Sequence, residues 1–252
     1  RILAHPDHLD SAIRYDLPTL AGRSLADLRV ALWRDDEVAP VSREISQGVD
    51  KVAQVFRDAG ATVVDDARPG FTSAHSHDTY YRLLIAFTSA GESSDDEFEA
   101  SRLEAMALPA DDHSDEARDL RAKTMDHRTW IELHNQRSRL RWAWQAFFQD
   151  YDLVLAPQTA TTAMRHDHTE PTDERTIEVD GKRQPYWLQS FWSGLPGISH
   201  LPSTVIPTGP SGDGLPIGIQ IIGPAYGDLV TIQTAQLLER EGLRFLPPPP
   251  YA

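Results

Sequence analysis

With 252 residues, 25% charged and 40% hydrophobic, the chain has the composition of an ordinary globular protein, long enough to bury a sizeable core. It has no cysteine, which excludes disulfides, thiolate metal sites and a thiol nucleophile and makes the cytoplasm the default expectation. A formal net charge of −14 without any basic run lacks the footprint of a nucleic-acid binder and disfavours anionic membranes, and no apolar stretch approaches the ~20 residues of a membrane span.

The opening, Arg1-Ile2-Leu3-Ala4-His5-Pro6-Asp7-His8, turns polar early and does not read as a signal peptide; starting on Arg rather than Met, it reads as an internal start. Residues 1–27 are turn-rich. Leu28–Trp33 is a nearly continuous apolar run suited to a buried parallel strand. Pro40 opens a helix whose apolar positions Ile45, Val49, Val52, Ala53 and Phe56 recur at helical spacing, and Gly60 is placed to end it. With Thr62-Val63-Val64 resuming strand character, this is a βαβ unit with a right-handed crossover.

Residues 72–125 are helical in tendency, acidic from Glu92 to Glu116, and contain no strand signal; Ser93 or Ser94 suits a helix N-cap. The segment from Arg128 to Phe148 is the clearest helix, with Trp130, Leu133, Leu140, Trp144 and Phe147 on one stripe. Arg137 shares that stripe, as a snorkelling or ion-paired side chain or as a substrate contact. Tyr151–Pro157 is a second buried strand, Asp180-Gly181 a hairpin turn, and 185–193 a helix ending near Gly194. Ser203–Pro207 and Pro216–Ile222 are strands joined by the loop 209–214. Asp228 is expected to N-cap the last helix, which stops at Gly242.

The chemistry that these residues allow is sparse. His75-Ser76-His77-Asp78 and His166-Asp167-His168 crowd metal-ligating types, but neither has the spacing that sets two imidazoles on one helical face, and a metal-dependent hydrolase built on His75 to Asp78 is a distant alternative. Gly91-Glu92-Ser93-Ser94 is followed by acidic residues that oppose an oxyanion hole. The glycines of 209–214 precede a strand, so they aim no helix N-terminus at a phosphate. Lys51, Lys123 and Lys182, the only lysines, all sit in polar surroundings and not in the desolvated setting of a general base.

From the long helix onward the chain resembles the C-terminal half of the amidase signature family. The resemblance rests on Arg128-to-Pro157, which runs into Tyr151-Asp152-Leu153-Val154-Leu155-Ala156-Pro157, on Phe191-Trp192-Ser193-Gly194-Leu195-Pro196-Gly197, and on Leu201 to Gly209. Gly214-Leu215-Pro216-Ile217-Gly218-Ile219-Gln220 is its most specific element, and Leu3-Ala4-His5-Pro6-Asp7 resembles that family's mid-chain junction. It implies an α/β fold: the C-terminal part of an amidase-signature-like mixed β-sheet flanked by helices on both faces. Residues 1–27 would be the junction from a missing N-terminal half and 28–252 the C-terminal half of the domain. Gly214 and Gly218 would be framework positions, with Pro207 and Pro216 marking strand ends.

The family cleaves amide C–N bonds with a serine nucleophile, a second serine in a cis peptide and a lysine, all in sequence preceding the part represented here. No position matches them, so no catalytic residue is carried over, and no metal or cofactor is implied. The implied partners are the N-terminal half carrying those groups and a small-molecule amide, with neither nucleic acid nor membrane. The chain alone is expected to be inactive. A non-catalytic binding domain derived from the same fold is the alternative. A chain existing alone would expose an apolar face, with strands such as Leu28–Trp33 or Leu153–Pro157 losing neighbours or covering helices, and could form a homo-oligomer.

Ligands of parallel sheets bind outside the carboxyl ends of the strands. That rule places Gln158 and Trp192 against the substrate, the first as a hydrogen-bonding amide and the second as a flat apolar wall. The alternative makes Trp192 a core residue and Gln158 a polar loop residue.

Overall fold

The computed structural model describes residues 15–91, 94–170 and 174–247. The junction motif at Leu3–Asp7 and the Ser93 cap lie outside them. Five strands, β1 (Arg29–Leu32), β2 (Thr62–Asp65), β3 (Leu153–Pro157), β6 (Ser203–Pro210) and β7 (Pro216–Ile222), form one mixed sheet in the order β2-β1-β3-β7-β6. β2, β1 and β3 run parallel, and β7 and β6 return antiparallel. A separate hairpin pairs β4 (Thr176–Val179) with β5 (Lys182–Pro185).

Period-two alternation splits the core into two layers. Val30, Leu32, Leu153, Leu155, Ile219 and Ile221 face one side. There they meet Val49, Val52, Ala53 and Phe56 of α1 (Arg43–Asp58) and Leu238 of α7 (Asp228–Arg240). Ala31, Val154 and Ala156 face the other, against Trp144 and Phe147 of α5 (His127–Phe147) and Phe191, Trp192 and Leu195 of α6 (Ser190–Gly197). Helices therefore cover both faces. Leu20 and Leu25, from the stretch read as a junction, are buried in the α1 layer. α2 (Ser73–Ser89), α3 (Asp95–Ala107) and α4 (Asp115–Lys123) fill the region expected to be helical, and Ser94 caps α3 in a reciprocal box with Glu97.

Several local expectations are corrected. α1 starts at Arg43, because the Ser42 side chain accepts from the Ile45 N–H and so caps the helix; Pro40 lies before it. Asp228 is the first residue of α7 and Gly227 is its N-cap. Pro207 sits inside β6, not at its end. β6 is an edge strand and the register slips between Pro207 and Gly209, the setting in which a strand accommodates a residue that has no N–H. β1 and β3, expected to lose neighbours, are internal strands paired on both sides; the sheet edges are β2 and β6. The hairpin turn at Asp180 (φ 48°) and Gly181 (φ 77°) has the two left-handed residues of a type I′ turn.

The helix expected over 185–193 is a 3-10 turn at Tyr186–Gln189 followed by α6, which runs on through Pro196. Pro196 cannot donate to the Trp192 carbonyl four residues back, and the Gln220 side chain supplies that bond at 2.8 Å instead. Tyr80 of α2 packs over Gly194 so closely that any Cβ there would fall 2.5 Å from its ring.

Candidate functional site

The carboxyl ends of β1 and β3 are held by a set of loop contacts. The Ser42 N–H donates to Ala160 O (2.8 Å), Arg43 N–H to Asp180 Oδ2 (2.9 Å), Gln184 Nε2 to Pro40 O (3.0 Å) and Gln220 Nε2 to Pro157 O (2.8 Å). Asp36 gathers the preceding loop, accepting from Trp33 Nε1 (3.0 Å), the Val38 N–H (2.9 Å) and Ser73 Oγ (2.9 Å). The turn after β3 is thereby pinned on both sides of Gln158, at Pro157 and at Ala160.

Gln158 is half-buried in that turn, and its amide makes no hydrogen bond among the described residues. Trp192 is placed differently. Its ring is 0% exposed, its indole N–H donates to Ala39 O at 3.1 Å, and it meets Phe191 edge-on at 4.9 Å. The two side chains thus border the same end of β3, one towards solvent and one in the core. Beyond Gln158 the loop opens on a concavity of about 400 Å³, bounded by Thr161, Met164 and His166 on one side and Glu178 on the other.

The residues weighed for catalysis are not brought together. Lys51, Lys123 and Lys182 are exposed, and the Lys51 ammonium donates to Thr208 O. Ser94 is occupied as a cap, and exposed Ser193 donates to Ser190 O at 3.2 Å. His75 and His77, two apart on α2, point in different directions: His75 is exposed, whereas His77 packs against Tyr81 and Phe191. Among the described residues this arrangement leaves the Gln158 amide without a partner and offers no paired nucleophile and base.

Burial, and after it Arg118, push His77 below its ordinary value of 6.5; burial and nearby Arg137 act the same way on His134 and His200. A depressed folded-state pKa means that the unfolded chain binds more protons just below 6.5, so stability is lost as the pH falls through that value. Thermal melts should therefore show Tm dropping between about pH 7 and about pH 5.5, and a smaller drop for His77→Phe. An identical slope in the variant would remove His77 from this account.

In the sequence Gln220 is only the last residue of the family-like run from Gly214, and its role is visible only in the fold. It is 1% exposed, donates to Pro157 O and Trp192 O (both 2.8 Å) and accepts from Ser203 Oγ (2.7 Å). The available signal was a lone amide inside an apolar strand, which must find partners there.

A family model described as Amidase matches residues 4–231. Indoleacetamide hydrolase of Bradyrhizobium japonicum is 28% identical over 120 residues, 48% of this chain and 24% of that protein. A glutamyl-tRNA(Gln) amidotransferase subunit of Brucella canis is 23% identical over 252 residues, 92% of this chain and 48% of that protein. Among solved structures, a bacterial aryl acylamidase of the amidase signature enzymes superposes with a TM-score of 0.67 at 23% identity, covering 94% of this chain and 48% of that one. The chain spans about half the length, or less, of these relatives.

Proposed function

We propose, from the premise that this chain belongs to the amidase signature family, that it is the C-terminal portion of a hydrolase cleaving C–N amide bonds. In this reading residues 28–252 supply sheet, covering helices and one wall of the substrate pocket, with 1–27 as the junction. The partner is an N-terminal half bearing the serine pair and the lysine, and the substrate is a small-molecule amide. The observation that carries the proposal is the family match over residues 4–231 on a chain whose three lysines are all exposed: scaffold without a base binds but does not turn over. Among the described residues no helix is long and apolar enough to cross a membrane. Action in the cytoplasm is part of this proposal.

Within the pocket wall we assign the contact to Gln158, whose free amide suits a carbonyl or amine, with Trp192 backing the wall from the core. The test is release of ammonia or aniline from a panel of small amides and anilides. The purified chain should show none. Supplying an amidase N-terminal half should produce turnover that disappears when that half's nucleophilic serine is changed to alanine. In the complemented enzyme Gln158→Leu should raise KM more than it lowers kcat. Turnover by the chain alone, abolished by Ser94→Ala or Ser193→Ala, would defeat the proposal. Binding of amides with no turnover even after complementation would favour the non-catalytic domain.

A further inference from the structure

α5 carries a second stripe at helical spacing, well round from its buried one: Ser138, Arg141, Trp142 and Gln145. These side chains line one wall of a pocket of about 440 Å³ at the amino end of β3, the opposite end of the strand from Gln158. Ser199, just after α6, and Tyr226, just after β7, belong to the other side. The volume lies within the ~300–1,000 Å³ usual for small-molecule sites.

The character of the lining specifies an occupant. Arg141 is its cation, and no carboxylate lines it among the described residues. Neither Arg141 nor Arg137, one turn earlier, makes an ion pair among the described residues, although the chain has 38 acidic side chains against 24 basic ones. The local field is positive: both arginines add to burial in lowering the pKa of His200.

Ser199 is 1% exposed, and its hydroxyl has no hydrogen-bond partner among the described residues. A buried hydroxyl in that condition is a local cost to the fold, and it lies behind the pocket wall. Trp142 and Tyr226 bring flat apolar surface to the same lining, 66% and 59% exposed. Tyr226 also holds φ at +64°, a left-handed conformation unfavourable for a bulky side chain and of the kind retained where it positions a ligand contact.

We propose that this pocket binds a small aryl carboxylate, its carboxylate taken by the Arg141 guanidinium and its ring lying against Trp142 and Tyr226. A guanidinium–carboxylate bond supplies the strong, charge-assisted contact, and the aromatic walls select a ring over a bare anion. The proposal uses neither Gln158 nor any group of the amide-cleaving reaction, so it stands or falls separately from the proposed function.

The test is titration of the full chain with benzoate, followed by tryptophan fluorescence and calorimetry, with acetate as the ringless anion and benzamide as the uncharged ring. Benzoate should saturate a single site, and both controls should bind at least about tenfold more weakly. Arg141→Gln, an exposed change that should leave Tm unaltered, should weaken benzoate about tenfold, and Trp142→Ala should narrow the gap between benzoate and acetate. Ser199→Ala removes a hydroxyl that is unpaired and sealed behind the pocket wall, so it should keep or raise Tm and leave benzoate affinity unchanged. Failure of benzoate to saturate, undiminished binding to Arg141→Gln, or equal affinity for acetate and benzoate would each overturn the proposal.

Discussion

Trp192→Ala is expected to lower the stability of the chain by about 3–5 kcal/mol, the range for deleting a large, fully buried aromatic side chain. The ring is completely enclosed between α6 and the sheet, in the layer that contains Trp144, Phe147 and Phe191. Truncation would remove its apolar contacts, leave a cavity walled by the sheet, and strip Ala39 O of its 3.1 Å partner. Those walls are strands held by their ladders, so they cannot collapse to fill the space. Urea unfolding measures the change. In the complemented enzyme the preference between small and bulky amides should alter little. A loss below about 1 kcal/mol with a changed preference would instead put the ring against the substrate.

Gln220→Leu should cost about 2–4 kcal/mol, although it puts a more apolar side chain of similar volume into a buried strand. The amide spends both N–H groups and its oxygen on partners that have no alternative. Pro157 O ends β3, Trp192 O faces the proline that cannot donate to it, and Ser203 Oγ lies on the neighbouring edge strand. Leucine would leave two carbonyls unpaired where water does not reach, and the penalty for such groups exceeds the gain from extra apolar area. Gln220→Glu should also destabilise, since a carboxylate cannot donate to either carbonyl. A urea midpoint for Gln220→Leu at or above that of the parent would show that these bonds are replaceable.

Signals that depend on neighbours in sequence were legible. The spacing of Ile45, Val49, Val52 and Phe56 specified the buried face of α1, and Gly60, with φ at +93°, ends it as read. Asp180-Gly181 specified its turn because few residue pairs tolerate two left-handed positions. The apolar runs at β1 and β3 could be assigned to buried strands for the same reason: a strand covered on both faces has no polar side to show.

Tertiary structure decided what depended on residues far along the chain. Whether Pro196 broke a helix turned on Gln220, 24 residues later, taking the carbonyl that the proline leaves free. Whether Trp192 faced ligand or core turned on Ala39, 153 residues away, whose carbonyl fixes the indole. Pro207 looked like a strand end and is an interior position, because only the strand order reveals that β6 is an edge. The pocket of Arg141, Ser199 and Tyr226 joins three segments that carry no common motif. Periodicity and turn chemistry are local, so the sequence by itself determined the elements and their buried faces. Hydrogen-bond satisfaction and pocket shape are set by segments distant in the chain, so only the folded structure determined which side chains are left free to bind.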